Sequence, residues 1–106
     1  MSRECSLLMR KEVLTGKAKF GIGGAGKELA QIAMARNFKK GDFWSGYYRE
    51  QTFMFAKGLA TAQHFFAALY GDTQNDLFSG GRQMNNHFST PFFDKAGNLM
   101  PLKQKY

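Results

Sequence analysis

The chain has 106 residues, 43% of them apolar, with eleven Phe, four Tyr and one Trp. That is one modest domain at most, and its aromatic content is too high, and its 22% charged fraction too ordinary, for an intrinsically disordered chain. A net charge of +7 favours an anionic partner: a nucleic acid, a phosphorylated ligand or an acidic protein surface. The single cysteine, Cys5, excludes an internal disulfide, and no apolar run reaches the length of a signal peptide or a membrane span. The sequence therefore predicts a soluble, cytoplasmic chain.

Leu7, Leu8 and Val13 among charged neighbours predict the end of an amphipathic helix over residues 7–14, entered from sequence that is barely present. Gly16 to Gly26 holds five glycines in eleven residues and predicts a loop, with a short extended piece around Phe20. Residues 27–36 are mostly strong helix formers, and Leu29, Ile32, Ala33 and Arg36 share one face at helical spacing. Gly41-Asp42 breaks the chain, and the aromatic stretch near 43–47 predicts a short strand running into a turn, with room for a site at its end.

Residues 51–57 resume a helical pattern that stops at Gly58. Thr61 is the expected N-cap of a further helix over 61–70, buried on two sides, with Phe65/Leu69 and Phe66/Tyr70 four apart and Gly71 as its stop. Residues 72–98 are rich in turn formers without sustained periodicity.

Gly21-Ile22-Gly23-Gly24-Ala25-Gly26 fits the dinucleotide fingerprint, and Gly21 to Lys27 fits a P-loop but for its last residue. A P-loop needs Ser or Thr after the Lys to hold magnesium, whereas Glu28 would set a carboxylate against the phosphates. The fingerprint needs a hydrophobic strand ahead of it, and Leu14 to Phe20 makes a poor one. The segment reads as a glycine loop opening a helix. In Tyr47-Tyr48-Arg49-Glu50, ahead of a helix, Arg and a Tyr hydroxyl can face a phosphate together, or Arg49 can simply pair with Glu50. His87 reads as a loop residue and His64 as a partly exposed helix residue. No spacing points to zinc or to paired catalytic carboxylates, and Cys5 has no activating neighbour.

The stretch from Gly46 through Phe88, in which Tyr-Arg is followed by an apolar helix, a helix ending in Tyr-Gly, then Gly-Arg-Gln-Met and a His, resembles the alpha subunit of thiamine diphosphate-dependent 2-oxo acid dehydrogenases, branched-chain type. The resemblance extends over about residues 7–93, including a Phe in a short extended segment and Gly-x-Glu opening the next helix. It implies that Tyr48 and Arg49 contact the cofactor diphosphate, with Tyr47 just before them. It also implies that Phe20 and the Gly21–Gly26 loop lie near the substrate funnel and His87 beside the active site. Where the branched-chain pattern has polar residues after the Phe, this chain has glycines.

The family's Gly-Asp-Gly motif and magnesium-binding Asn are not matched. Gly71-Asp72-Thr73 lacks the last Gly, and Asn85-Asn86 follows too soon. The catalytic glutamate belongs to the beta subunit or beta half. The resemblance thus implies a single incomplete segment, residues 1–106, forming the N-terminal part of an α/β thiamine diphosphate-binding fold, mostly helical here, with no catalytic residue or metal ligand of its own. Thiamine diphosphate and magnesium would be bound in the full-length parent and not by this piece alone. The implied partners are the rest of the alpha part, the beta subunit or half, further copies in a homo-oligomer and the acyltransferase component, with no membrane and no nucleic acid. The other class left open is a small basic module for a phosphorylated ligand or nucleic acid.

Overall fold

The computed structural model describes residues 1–39, 42, 47–83 and 88. Among them the elements are helices α1 (Ser2–Leu14), α2 (Glu28–Asn37), α3 (Gln51–Ala56) and α4 (Ala62–Tyr70), with no strand. Of the strand expected near 43–47, residues 43–46 lie outside the described residues, and Tyr47 leads directly into a turn.

α4 forms where its punctuation places it. The Thr61 hydroxyl accepts from the His64 amide, and His64 Nδ1 accepts from the Thr61 amide, both at 3.3 Å. This reciprocal pair satisfies two amide donors that a bare helix start leaves open. Gly71 closes the helix in the left-handed conformation at φ 66°, which costs glycine nothing. α1 begins at Ser2, earlier than its apolar residues alone indicate.

Two apolar clusters hold the helices. Cys5 and Met9 of α1 pack with Ala18 against Phe65 and Leu69 of α4. Phe53 and Met54 of α3 pack with Ala35 of α2, Ala60 and Phe88, and Phe55 touches both clusters. Phe38 meets Phe53 edge-on at 5.2 Å between ring centroids. Cys5 is a core residue whose thiol burial pushes upward, the opposite of an activated nucleophile.

The expected packing face of α2 requires correction. Leu29 is 82% exposed and Ala33 and Arg36 are exposed, while Gln31 and Ala35 are buried against α3. The face is chosen by what it meets: Gln31 satisfies the Arg49 carbonyl and the Phe53 amide at the start of α3, and Ala35 packs with Phe53 and Met54. Phe53, Phe65 and Leu69 are each at most 1% exposed, covered from within this chain.

Residues 71–82 form a run of turns organised by two aspartates. Asp72 accepts from the amides of Gln74 and Asn75 and from Asn75 Nδ2. Asp76, buried, accepts from the amides of Phe78 and Gly81 and from Ser79 Oγ.

Candidate functional site

The residues linking α2 to α3 end in a turn at Tyr47–Glu50, where the Glu50 amide donates to the Tyr47 carbonyl at 3.3 Å. Tyr47 is 62% exposed, Tyr48 half-buried and Arg49 exposed. The two tyrosine rings lie 4.2 Å apart, and Arg49 Cζ sits 5.6 Å from the centre of the Tyr48 ring. Such an arginine keeps its five N–H donors available while the ring beneath it limits its wandering. The alternative pairing of Arg49 with Glu50 does not occur: among the described residues Arg49 has no carboxylate within ion-pair distance.

The backbone under Arg49 is held by two segments. Gln31, on the buried face of α2, donates from Nε2 to the Arg49 carbonyl at 2.9 Å, and its Oε1 accepts from the Phe53 amide at 3.0 Å. The second is the glycine loop, where a methyl group at Gly24 would fall 2.6 Å from the Arg49 carbonyl oxygen. Only glycine fits there.

Gln51, the first residue of α3, is fully buried and donates to Ser6 Oγ at 2.7 Å and to the Ser2 carbonyl at 3.2 Å. Ser2 and Thr52 hydroxyls share a 2.6 Å hydrogen bond. The turn is thus mounted on α1, α2 and α3 through a buried polar layer. Sequence reasoning missed this layer altogether: Gln31, Gln51 and the serines look like surface residues until their partners are known.

The loop Gly21–Gly26 does not cradle an anion. The Gly26 amide donates to Glu28 Oε2 at 2.8 Å, and the same carboxylate takes Nε and Nη2 of Arg3 at 3.1 and 3.2 Å. The Arg3 contact first, then Glu28's own amide and, less, the Gly26 amide hold the Glu28 carboxyl below its ordinary value, so the position facing the loop is already negative. This supports the rejection of a P-loop. Nearby, a groove of about 330 Å³ between α1 and the loop is lined mainly by Leu7, Met9, Val13, Leu14 and Gly21, and neither Tyr48 nor Arg49 lines it.

Of the other predicted site residues, Phe20 is 44% exposed just ahead of the loop and has no ring contact with the tyrosine pair. His87 lies outside the described residues. His64 caps α4. Among the described residues no group of three acidic, His or Cys side chains is placed to hold a metal, and no helix is long and apolar enough to cross a membrane.

An exposed arginine over a tyrosine ring carries N–H donors of the kind that suit a charged, oxygen-rich group. The model of the dehydrogenase E1 component family matches residues 1–100, and the chain belongs to that family, the E1 components of 2-oxo acid dehydrogenases. Such components generally depend on thiamine diphosphate and work with a beta subunit and other parts of a complex. No curated protein and no solved structure matches the chain.

Proposed function

We propose that this chain is the N-terminal part of the alpha portion of a branched-chain-type 2-oxo acid dehydrogenase, and that its Tyr47–Arg49 turn receives the diphosphate of thiamine diphosphate. The observation that carries the reading is Arg49, exposed and without a carboxylate partner among the described residues, on a backbone pinned by Gln31. The donor set fits the group: a planar cation and a neighbouring phenol suit a polyanionic diphosphate in charge and in hydrogen-bonding sense. Bound thiamine diphosphate supplies the electron sink for decarboxylating a 2-oxo acid.

In this reading Arg49 binds and orients the diphosphate, Tyr48 adds a neutral hydrogen bond, and Phe20 and His87 stand nearer the substrate. The helical segment is completed into an α/β cofactor domain by the remainder of the alpha part. Magnesium ligands and the activating glutamate come from that remainder and from the beta subunit or half. Alone the segment is inactive; in a cytoplasmic homo-oligomer it passes its product to an acyltransferase component. The alternative, a free-standing basic module for a phosphorylated ligand or nucleic acid, has the net charge and the same Tyr48-Arg49 pair in its favour, but the Glu28 carboxylate already occupies the glycine loop it would use.

The test is thiamine diphosphate affinity in the assembled dehydrogenase component that carries this chain. Removing one charge-assisted contact, as in Arg49→Ala, is expected to weaken it roughly ten- to a hundred-fold. Tyr48→Phe is expected to cost less. Unchanged affinity in Arg49→Ala would remove the basis of the reading.

A further inference from the structure

We infer that Gln31 is a positioning residue for the cofactor diphosphate: from α2, its carboxamide sets the peptide that carries Arg49 and so determines how the guanidinium is presented. The inference rests on the proposed role of Arg49.

The argument begins with a missing cap. Helix α3 starts at Gln51, and its N-cap residue, Glu50, makes no side-chain hydrogen bond to the first turn. The amide of Phe53, in that turn, is buried and needs an acceptor. Gln31 Oε1, on a different helix, supplies it at 3.0 Å. The same carboxamide spends its donor on the Arg49 carbonyl at 2.9 Å. One rigid planar group therefore spans the peptide before α3 and the amide inside α3, and locks the turn to the helix start as one unit.

Gln31 is only 8% exposed, so its bonds form away from competing water. The Gly24 backbone also lies so close to the Arg49 carbonyl oxygen that any side chain would collide with it. With its carbonyl bonded by Gln31 and closely packed by Gly24, the Arg49 backbone is set, and the entropy of searching for the diphosphate falls largely on its side chain. Neither Gln31 nor Gly24 needs to touch the ligand.

Three properties separate this role from plain structural support. Gln31→Met keeps length and apolar volume and removes both hydrogen bonds. In the assembled component it is expected to weaken thiamine diphosphate, titrated with magnesium, by about ten-fold, the scale of one well-placed hydrogen bond lost, while thiamine lacking phosphates binds as before. Because Gln31 acts through Arg49, the double variant Gln31→Met/Arg49→Ala is expected to bind no more weakly than Arg49→Ala alone.

Gly24→Ala pushes the same carbonyl and is expected to show the same selective loss, which decides the matter if Gln31→Met does not fold. Equal losses for thiamine and thiamine diphosphate, or losses that add to that of Arg49→Ala, would overturn the inference. If Arg49→Ala weakens the diphosphate and neither Gln31→Met nor Gly24→Ala does, the positioning role alone fails. If Arg49→Ala has no effect, the reading of the turn fails with it.

Discussion

Arg49 and Asp76 show opposite uses of a charged side chain on a turn. Arg49 is held through its backbone carbonyl and by the Tyr48 ring beneath its guanidinium, so its N–H donors remain available to a ligand. Arg49→Lys keeps the charge and loses the planar fork, so thiamine diphosphate affinity is expected to fall, on the order of ten-fold and less than for Arg49→Ala, by calorimetric titration of the assembled component. Asp76 spends its charge inside the protein. Burial pushes its carboxyl up, but the hydrogen bonds from the Ser79 hydroxyl and from the Gly81, Phe78 and Ser79 amides together outweigh burial and hold it below its ordinary value.

A carboxyl with a depressed folded-state value stabilises the fold above the unfolded value of about 4 and loses that contribution as pH falls through the folded one. Asp76→Ala strands several donors and is expected to cost about 2 kcal/mol in urea unfolding at neutral pH, the gap to the parent narrowing as pH falls below about 4. At this scale the Tyr48-Arg49 pair stands out in the sequence because those residue types carry phosphate chemistry in themselves, whatever the fold around them. Gln31 does not, because its partners are backbone groups 18 and 22 positions away that any sequence would provide.

Helix α4 is the element the sequence specifies most fully. Thr61, Gly71 and the Phe65/Leu69 pair were each readable, and each has the expected role. Thr61→Ala is expected to cost about 1 kcal/mol, as loss of an N-cap commonly does. Phe65→Ala, which empties the centre of the α1–α4 cluster, is expected to cost about 3–5 kcal/mol, both read from urea midpoints. The second loss is comparable to much of a small domain's total stability, about 5–15 kcal/mol.

Helix α2 was legible in extent and not in orientation. Counting apolar residues around the helix selects Leu29 and Ile32, but the count is blind to where the partner lies. The side facing α3 is the one that can satisfy buried peptide groups, so a glutamine and a small alanine win it and Leu29 is left 82% exposed. Helix α1 differs again, since Ser2 and Ser6 turn inward to meet Thr52 and Gln51, a polar seam that hydrophobic patterning does not register.

At the scale of the molecule, the two apolar clusters meet at Phe55, and the polar layer around Gln31 and Gln51 lies where α1, α2 and α3 converge. The described residues thus bury Phe53, Phe65 and Phe88, yet leave Leu7, Leu14, Leu29, Leu77 and Tyr47 more than half exposed. The candidate site is built the other way round. Its backbone is supported from within the chain by Gln31, although the Oε1 of the buried Gln51 has no hydrogen-bond partner, and among the described residues the ligand-facing groups it offers are one cation and its tyrosine neighbours.

An exposed charge pair in water is worth no more than about 1 kcal/mol, so the 106-residue chain by itself is expected to show no micromolar, magnesium-dependent binding of thiamine diphosphate at physiological salt. Tight binding by a monodisperse monomer in calorimetry would mean that the chain is a complete cofactor domain. The most direct measurement of the central claim is a crystal structure of the assembled dehydrogenase component with thiamine diphosphate and magnesium. The predicted result is an Arg49 guanidinium nitrogen at about 2.7–2.9 Å from a diphosphate oxygen, with the Gln31 bond to the Arg49 carbonyl retained. A diphosphate anchored elsewhere, with Arg49 turned to solvent or paired with a protein carboxylate, would contradict it.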